Sequence, residues 1–558
     1  MAAIITNRLR IFNAQQFIES LSEQAPLWET GVSYSEGDVV LSNSNLYIAV
    51  NDGTSSNAPT HLSGTVDDGT LTWAFYNTSL YNNLYLGIGK TTSWDDDSNP
   101  PTPTDSVKNH YTVKNDLISM KKVGTDTISL ALPRINWTSG TVYTMYDDQD
   151  PEEIIPNGYV ITEDNNQYNV FKCVNNSKYV DAAKGVAPVA STVKPSKPLN
   201  DNTSLIETGD GYIWKYMYSI ELTRALKFLT KDYFPVKYLT GTASDYTTDS
   251  ADQTQAEVQT HAVSYSGGID IIKIVDDSTD SGHAGGSGYL QNLQATVTVD
   301  NTTTVPAFDV TGAVAQVAQD AGQDGYIGYS AVFIDSTGNT FIQTITDYGY
   351  SGSSTISVNV TLDQPFAISG ASSSGTLIIA PKVQVTTSGS GSGCQAYALT
   401  NGDEISKIVV SNRGSGYTEA IASVVTSTSG TACVVRPILA PGSGHGYNPV
   451  EELGGYYVMV ALKLEYDEQD TRNSVTESVF PVNTSFRQII ILSDPTDTST
   501  SKTAANTKYR GPSHPNYSDG NSEFNVDAGT GKVLYVENRQ PVSRAVDQIE
   551  DIKVVFEF

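Results

Sequence analysis

The sequence predicts a mainly β protein with a single convincing helix near its N-terminus. Beyond that helix, Val, Ile, Thr and Tyr alternate with polar residues, which is the period-two pattern of strands with one buried face. Turns rich in Gly, Asn, Asp and Ser separate these segments. Helical spacing occurs from Asn13 to about Glu23, where Phe17, Ile18 and Leu21 share one side. We expect this helix to pack its apolar side on the first sheet.

Length and charge limit the possible partners. The chain has 558 residues, enough for several domains of ordinary size. Its formal net charge of -29 and the lack of clustered Lys and Arg argue against nucleic acid as a partner and favour a soluble surface. The sequence contains no run of about 18 apolar residues, so no membrane span is expected. The polar N-terminus lacks the features of a secretory signal peptide.

Aromatic residues are spaced distinctively between the helix and Tyr81. They bracket a Gly37-Asp38 turn and resemble the small chitin-binding-like β modules of many phage structural proteins, which predicts an inserted module over residues 25–80. Exposed rings could stack on the face of a sugar, so a host-surface glycan is a candidate partner. A module of this size also needs such rings to form its core, and core packing is the favoured interpretation. The candidate sugar contacts are Trp28, Tyr34, Tyr47 and Trp73.

A second inserted domain is predicted over residues 241–453, which are rich in Gly, Ser and Thr. A strand followed by Gly-Ser-Gly-Tyr occurs twice, ending at residues 286–289 and 414–417. Fainter echoes are found at residues 341–350 and 446–447. The glycines are expected to supply positive φ at a tight turn, with the Tyr covering the end of the sheet. The pattern favours a repeat-built spacer or partner-contacting domain over a ligand pocket.

Motifs that imitate chemical sites fail on inspection. Residues 87–92 imitate the end of a phosphate-binding loop, but position 84 is Leu and several prolines follow. The acidic runs at 95–97 and 147–148 do not fit a calcium loop. The six histidines and three cysteines show no metal-ligand or redox spacing. We therefore expect no catalytic residue, no cofactor and no metal site.

Five ordered blocks carry a family resemblance. The blocks are Asn83–Lys90 with Trp94 and Pro100–Val107, then Leu132–Trp137, Glu207–Tyr216, Phe486–Ile489 and Gly531–Phe558. They are similar to the T4-type phage baseplate wedge proteins of the gene product eight family, subunits of contractile-tail baseplates. The resemblance implies a two-layer β-sandwich core made from residues 81–240 and 454–558, preceded by the helical segment 1–24.

The resemblance also implies a function. The chain would be a structural subunit of the virion's tail baseplate and not an enzyme, assembled in the host cytoplasm as a homodimer bound to other wedge subunits. It would hold the baseplate together during assembly and conformational change. Rival hypotheses are a carbohydrate-binding tail adhesin (a receptor-binding protein) and a depolymerase. Arg539 is expected to tie a polar turn at 538–541. Candidate interface residues, each of which could instead be core, are Trp94, Arg134, Trp137, Tyr212, Trp214 and Arg539.

Overall fold

The structure is a computed structural model that describes most of the chain. The described residues form mainly strands, with six α-helices among them, which confirms the predicted β class. None of these helices is long and apolar enough to cross a membrane. The described residues are 5–22, 28–42, 45–78, 84–123, 127–152, 154–155, 157–164, 167–176, 189–198, 204–275, 285–425, 430–463, 485–493, 531–543 and 551–558.

The N-terminal helix α1 spans Asn7–Ser22 and begins earlier than the predicted start at Asn13. Its start is set by Thr6, whose hydroxyl accepts a hydrogen bond from the Leu9 N–H at 3.3 Å, as a capping residue does. Phe17 and Ile18 pack on the main hydrophobic core, as predicted. The predicted end at Glu23 lies outside the described residues.

The small module has its own hydrophobic core. Its strands are β1 Ser33–Tyr34, β2 Val39–Ser42, β3 Asn45–Ala49, β4 Gly53–Thr54, β5 Thr65–Asp68 and β6 Leu71–Thr78. Strands β2, β3, β6 and β5 form an antiparallel sheet in that order, and β1 pairs with β4. The core includes Val40, Leu71 and the rings of Tyr34, Tyr47 and Trp73.

The remaining elements follow in chain order. The first segment contains β7 Leu84–Gly89, α2 Val107–Asn115, β8 Leu117–Lys122, β9 Ile128–Pro133, β10 Tyr159–Asp164, β11 Gln167–Asn176, β12 Leu205–Glu207, β13 Tyr212–Ile220, α3 Leu222–Phe228, β14 Tyr233–Val236 and α4 Ala251–Ala262. The middle segment contains β15 Ile269–Ile274, β16 Leu293–Asp300, β17 Thr304–Thr311, α5 Gly312–Asp320, β18 Ser330–Asp335, β19 Thr340–Gly352, β20 Thr355–Leu362, β21 Ser372–Ala380, β22 Val383–Thr386, β23 Ser392–Asn401, β24 Glu404–Ser415, β25 Ile421–Val424 and β26 Val435–Leu439. The last segment contains α6 Pro449–Leu453, β27 Tyr457–Lys463, β28 Ser485–Ser493, β29 Lys532–Ser543 and β30 Asp551–Glu557.

The first and last segments share sheets, and together they form what we call the core body. Strand β28 lies between β29 and β7 in the sheet β29-β28-β7-β8, and β27 lies between β9 and β30 in the sheet β14-β9-β27-β30. A third sheet, β10-β11-β13-β12, contributes to the same hydrophobic cluster. The Tyr535 and Phe556 rings from two of these sheets lie 6.2 Å apart between centroids. Segments far apart in sequence therefore fold as one unit.

The middle segment contains two further hydrophobic clusters. Strands β16–β21 form a six-stranded sheet in the order β16-β21-β18-β19-β20-β17, which with α5 we call the six-stranded body. Strands β15 and β22–β26 surround the other cluster, which contains Tyr289 and Tyr417, and we call this unit the Gly-Ser-Gly-Tyr body. The six-stranded body is inserted in sequence between Tyr289 and β22.

The two Gly-Ser-Gly-Tyr turns have matching conformations and interlock. Both glycines of each turn have positive φ, between 60° and 80°, and both tyrosines are buried. The Tyr289 N–H donates to the Asp403 carbonyl at 3.0 Å, and the Tyr417 N–H donates to the Gly267 carbonyl at 3.0 Å. Each turn is thus fixed to the residues just before the other unit's first strand. The fainter echoes are not further copies, because residues 341–350 lie within strand β19 and residues 446–447 lie in the loop before α6.

Candidate interface and buried charged joint

The four candidate sugar contacts lie mostly inside the small module. Trp73 is 1% exposed and Tyr47 is 0% exposed, and the Tyr34 ring meets Trp73 edge-on at 5.0 Å. The Trp28 indole is half-buried and donates to the Ser55 hydroxyl at 2.6 Å. The module therefore uses these rings mainly for its core, and only Trp28 presents part of a ring to solvent.

The loop of residues 91–101 is held against β28 and β29 by side chains from the resembling blocks. Arg487 donates to both carboxylate oxygens of Asp97, at 2.8 and 2.7 Å, and to the Thr91 carbonyl. Hydrogen bonding to this guanidinium is the main reason that the pKa of Asp97 is lowered to about 2. The Trp94 indole donates to the Arg539 carbonyl at 3.0 Å. Three blocks that are distant in sequence therefore meet at this loop.

Arg539 does not tie a turn, contrary to the prediction. Residues 538–541 lie within strand β29, where the register shifts opposite Arg487 and forms a bulge. The Arg539 side chain is exposed, and its guanidinium lies 3.6 Å from the Glu537 carboxylate. Arg539 contacts the 91–101 loop through its backbone carbonyl, and the guanidinium that bonds this loop is that of Arg487.

The other interface candidates lie near the third sheet. Tyr212 and Trp214 are fully buried, with their rings stacked at 5.4 Å. The half-buried Trp137 indole donates to the Ser191 hydroxyl at 3.0 Å. The Arg134 guanidinium donates to the Thr230 carbonyl at 2.9 Å. Tyr212 and Trp214 belong to the core of the chain, while an interface role for Trp94, Arg134, Trp137 and Arg539 stays a prediction.

A buried network of charges joins the core body to the Gly-Ser-Gly-Tyr body, and we call it the charged joint. On the core side, Lys172 of β11 is 1% exposed, and its Nζ lies 2.8 Å from a carboxylate oxygen of Glu452 on α6. The other carboxylate oxygen of Glu452 accepts hydrogen bonds from the Gly446 and Asn448 N–H groups. Burial alone raises the pKa of Glu452, but Lys172 and His445 outweigh it and lower the pKa to about 2. Glu452 is therefore ionised at neutral pH.

Asp270 and His445 continue the joint into the inserted body. Asp270 of β15 is buried. One of its carboxylate oxygens lies 2.7 Å from the Nε2 of His445, and the other contacts a guanidinium nitrogen of Arg413 on β24. Burial raises the pKa of Asp270, but His445 and Arg413 lower it below its ordinary value overall. The Nδ1 of His445 lies 3.7 Å from Glu452. The imidazole therefore sits between one carboxylate from each body.

A second group of charges extends the joint. Asp147, in the connection between β9 and β10, accepts from Arg436 of β26 at 2.5 Å and from Lys273 of β15 at 3.1 Å. Burial tends to raise the pKa of Asp147, and the contacts with Arg436 and Lys273 lower it overall. Burial raises the pKa of the adjacent Asp148, which lies 3.3 Å from Arg436. Ion pairs therefore link the two bodies at several points.

The charges of the joint are paired with one another, as expected for a structural contact between the two bodies. Every acid named in it faces at least one cationic side chain, and no group of three or more His, Cys, Asp or Glu in the described ranges could hold a metal ion. Sequence reasoning missed the joint, because Lys172, Asp270 and Glu452 are single residues far apart in the chain. Asp147 and Asp148 form a visible acidic pair in the sequence, but Arg436, which contacts both, lies almost 300 positions away.

Comparison with known proteins supports the family resemblance. Residues 449–558 match the family model described as "Bacteriophage T4, Gp8". The chain is also 22% identical over 178 residues to "Baseplate wedge protein gp8" of Enterobacteria phage T4, an alignment that covers 28% of this chain and 53% of that protein. The chain thus spans about half the length of the curated relative it matches. These similarities identify it as a relative of the T4-type baseplate wedge proteins.

Proposed function

We propose that this chain is a structural subunit of a contractile-tail baseplate wedge, located in the virion and assembled in the host cytoplasm. The observation that carries the proposal is the strand pairing of the family-matched segment. Strand β28 pairs with β7 through contacts such as Ile490 opposite Gly87, and β27 pairs with β9. The matched segment is therefore an integral part of a core body that includes the first half of the chain.

Exposed apolar helix faces support a role in subunit contacts. On α3, Leu222 is 59% exposed and Leu226 is 69% exposed, one helical turn apart. On α1, Leu9 and Phe12 are 47% and 54% exposed. Neighbouring apolar residues on a surface often mark contacts with other proteins. We propose that these faces contribute to a homodimer and to contacts with neighbouring wedge subunits, which hold the baseplate together as it assembles and changes conformation.

The charged joint supports the same role from inside the chain. A connection made from directional ion pairs fixes the angle between the Gly-Ser-Gly-Tyr body and the core body, because each pair tolerates only a narrow geometry. Strands and loops of the inserted body would then be presented to neighbours in a defined orientation. The adhesin alternative has weaker support, because most of its candidate rings are buried in the small module.

Gene deletion and complementation in the phage that encodes the chain test the proposal. Without the chain we expect no complete contractile tails by electron microscopy, and the wild-type gene should restore them, with the chain present in purified tails by mass spectrometry. Leu226→Glu should reduce tail yield at least tenfold while the thermal unfolding midpoint of the purified chain stays within about 2 °C of wild type. Leu62→Glu, equally exposed at 69% in the small module, is the matched control. Normal tails without the chain would contradict the proposal.

A further inference from the structure

A cleft of about 360 Å³ lies between the core body and the Gly-Ser-Gly-Tyr body, beside the charged joint. Its size is within the range of ligand-binding clefts, about 300 to 1,000 Å³. Strand β12 and the end of β11 line one side, and strands β15 and β24 line the other. Apolar side chains such as Leu205, Ile213 and Ile408 form much of its surface. Near the joint, Asp270 and Arg413 line it.

One buried polar side chain in this cleft has no partner among the described residues. Asn175 is 0% exposed, and within the described part of the chain neither its amide nitrogen nor its amide oxygen forms a hydrogen bond. It follows a register shift in the pairing of β11 with β13. A buried amide without partners is costly, and such groups in native proteins call for an explanation. The Asn175 amide offers both a donor and an acceptor, and the peptide group of a polypeptide can satisfy both at once.

The cleft also runs along free strand edges. In the part of the chain that the structure describes, β12 pairs only with β13, β15 only with β26, and β24 only with β23. Consecutive residues of β24, from 407 to 411, line the cleft, and so do residues 270–272 of β15. Successive residues of a strand point to opposite faces, so a cleft lined by all of them lies along the strand edge. Unpaired strand edges are templates for an added strand.

We propose that this cleft binds an extended segment of another tail protein by strand addition. The Asn175 amide would pair with a peptide group of that segment, and the apolar walls would accept its side chains. The Glu207–Lys407 ion pair, 2.5 Å long, connects β12 on one side of the cleft to β24 on the other and would fix the spacing of the two walls around the segment. The segment is assigned to a different protein, because each described strand of a second copy is already paired in a sheet and would have to leave that sheet to enter the cleft as a single extended segment. This inference rests on the proposed function and names how a partner is held.

Site-specific photo-cross-linking in intact phage particles tests the proposal. The exposed Ser411 at the cleft is replaced by p-benzoylphenylalanine, and Gln384, an exposed residue of β22 outside the cleft, receives the same replacement as a control. After irradiation, mass spectrometry should find the Ser411 position joined to one contiguous segment of a different tail protein. The yield should be at least fivefold above that of the Gln384 control.

A second variant separates binding from folding. Asn175→Leu replaces the amide with an apolar group of similar size, and the thermal unfolding midpoint of the free chain should not fall, because the amide has no partner to lose. In particles carrying the photo-cross-linker at Ser411, the same change should lower the cross-link yield at least tenfold. A lower midpoint with an unchanged yield would overturn the proposal, as would cross-linking to a second copy, to a glycan or to nothing. If particles contain the chain but give no cross-link, the cleft proposal alone fails; tails that lack the chain overturn the proposed function as well.

Discussion

The buried contact between Lys172 and Glu452 gives the sharpest test of the charged joint. Lys172→Met keeps an unbranched side chain of similar length, which can still pack near the Tyr146 ring, 4.4 Å from the Lys172 nitrogen. The substitution removes the positive charge beside Glu452 and changes little else. The Glu452 side chain is only 9% exposed, so its carboxylate would then stay buried with two backbone N–H groups and His445 beside it but without the lysine charge.

Two independent arguments give the magnitude. Removing one partner of a buried ion pair typically costs about 3 to 5 kcal/mol, because the other charge stays buried without compensation. The pKa of Glu452 is lowered from 4.5 to about 2. At about 1.36 kcal/mol for each pKa unit, that difference corresponds to about 3 kcal/mol of net stabilisation of the ionised form, after the cost of its burial. We therefore expect Lys172→Met to lower the free energy of unfolding by about 3 kcal/mol.

Urea unfolding followed by tryptophan fluorescence provides the assay, since the buried Trp214 lies on β13, which pairs with the strand that carries Lys172. A double-mutant cycle with Glu452→Gln isolates the pair itself. In the double variant, Lys172→Met with Glu452→Gln, no buried charge is left without a partner, because glutamine is neutral. This variant should therefore be more stable, by about 2 kcal/mol, than the sum of the two single changes predicts. A coupling energy near zero would refute the reasoning.

The matched control is Lys194→Met. The Lys194 nitrogen lies 2.5 Å from Asp164, but the two side chains are 41% and 28% exposed. Solvent screens such pairs, and they contribute less than about 1 kcal/mol. A loss of stability for Lys172→Met no larger than that for Lys194→Met would mean that the joint is not buried in solution.

Three further outcomes are expected. The unfolding free energy should fall as the pH drops from 4.5 towards 2. The folded chain lowers the pKa of Glu452, so the ionised carboxylate stabilises the fold above pH 4.5, and this stabilisation is lost as Glu452 is protonated. A urea midpoint that does not change over this pH range would contradict this. Arg487→Lys keeps the charge but loses the two-pronged carboxylate contact, so amide hydrogen exchange in loop 91–101 should accelerate, while Arg539→Lys should leave it unchanged. Replacing residues 293–379 with a short Gly-Ser linker should leave the rest of the chain folded, as measured by the tryptophan-monitored urea transition; loss of that transition would contradict the boundary.

Local features of the fold were predictable from the sequence. The alternating strands follow from the two-residue period of side chains along a strand. The Gly-Ser-Gly-Tyr turns follow from the conformational freedom of glycine. Both are decided by a few neighbouring residues, so the sequence alone is enough to predict them. In Gly286 and Gly414 a Cβ atom would lie 2.5 Å and 2.3 Å from the carbonyl oxygens of Thr431 and Ser392. Glycine is therefore required at both positions, as the repeated motif suggested.

Features that depend on distant residues were not predictable. The bulge at residues 538–541 looks like a turn in sequence, because Asn and Pro favour turns. It becomes part of a strand only through pairing with β28. The joint is a stronger case, since Lys172 and Glu452 are 280 positions apart. A single buried charge carries no periodic signal, and only the fold reveals its partner.

The boundaries of the inserted domain also depend on contacts between distant residues, and the sequence did not place them correctly. Val258 on α4 and Leu453 on α6 lie within the predicted insertion 241–453, yet both are buried in the core cluster. Deleting that whole range would remove part of the core. The six-stranded body is a better candidate for the inserted domain. The Asn292 side chain, just before this body, donates to the Ala398 carbonyl at 3.2 Å, and the Ala398 N–H donates to the carbonyl of Pro381, just after it, at 3.4 Å. Its two ends are thus close together, as an insertion requires.

The interlocked turns and the charged joint act together to fix the orientation of the Gly-Ser-Gly-Tyr body. The two Gly-Ser-Gly-Tyr units bond to one another's first strands, so their body moves as a whole and β15 cannot shift independently of β24. Asp270 on β15 and Arg413 on β24 bond to each other within that body, and His445 links Asp270 to Glu452 on the core side. An apolar contact of equal area would tolerate sliding, whereas these bonds fix one orientation. We infer that the joint contributes more to orientation than to stability, so replacing its charges with apolar residues of similar size would leave the chain folded but change the angle between the bodies, measurable by small-angle X-ray scattering.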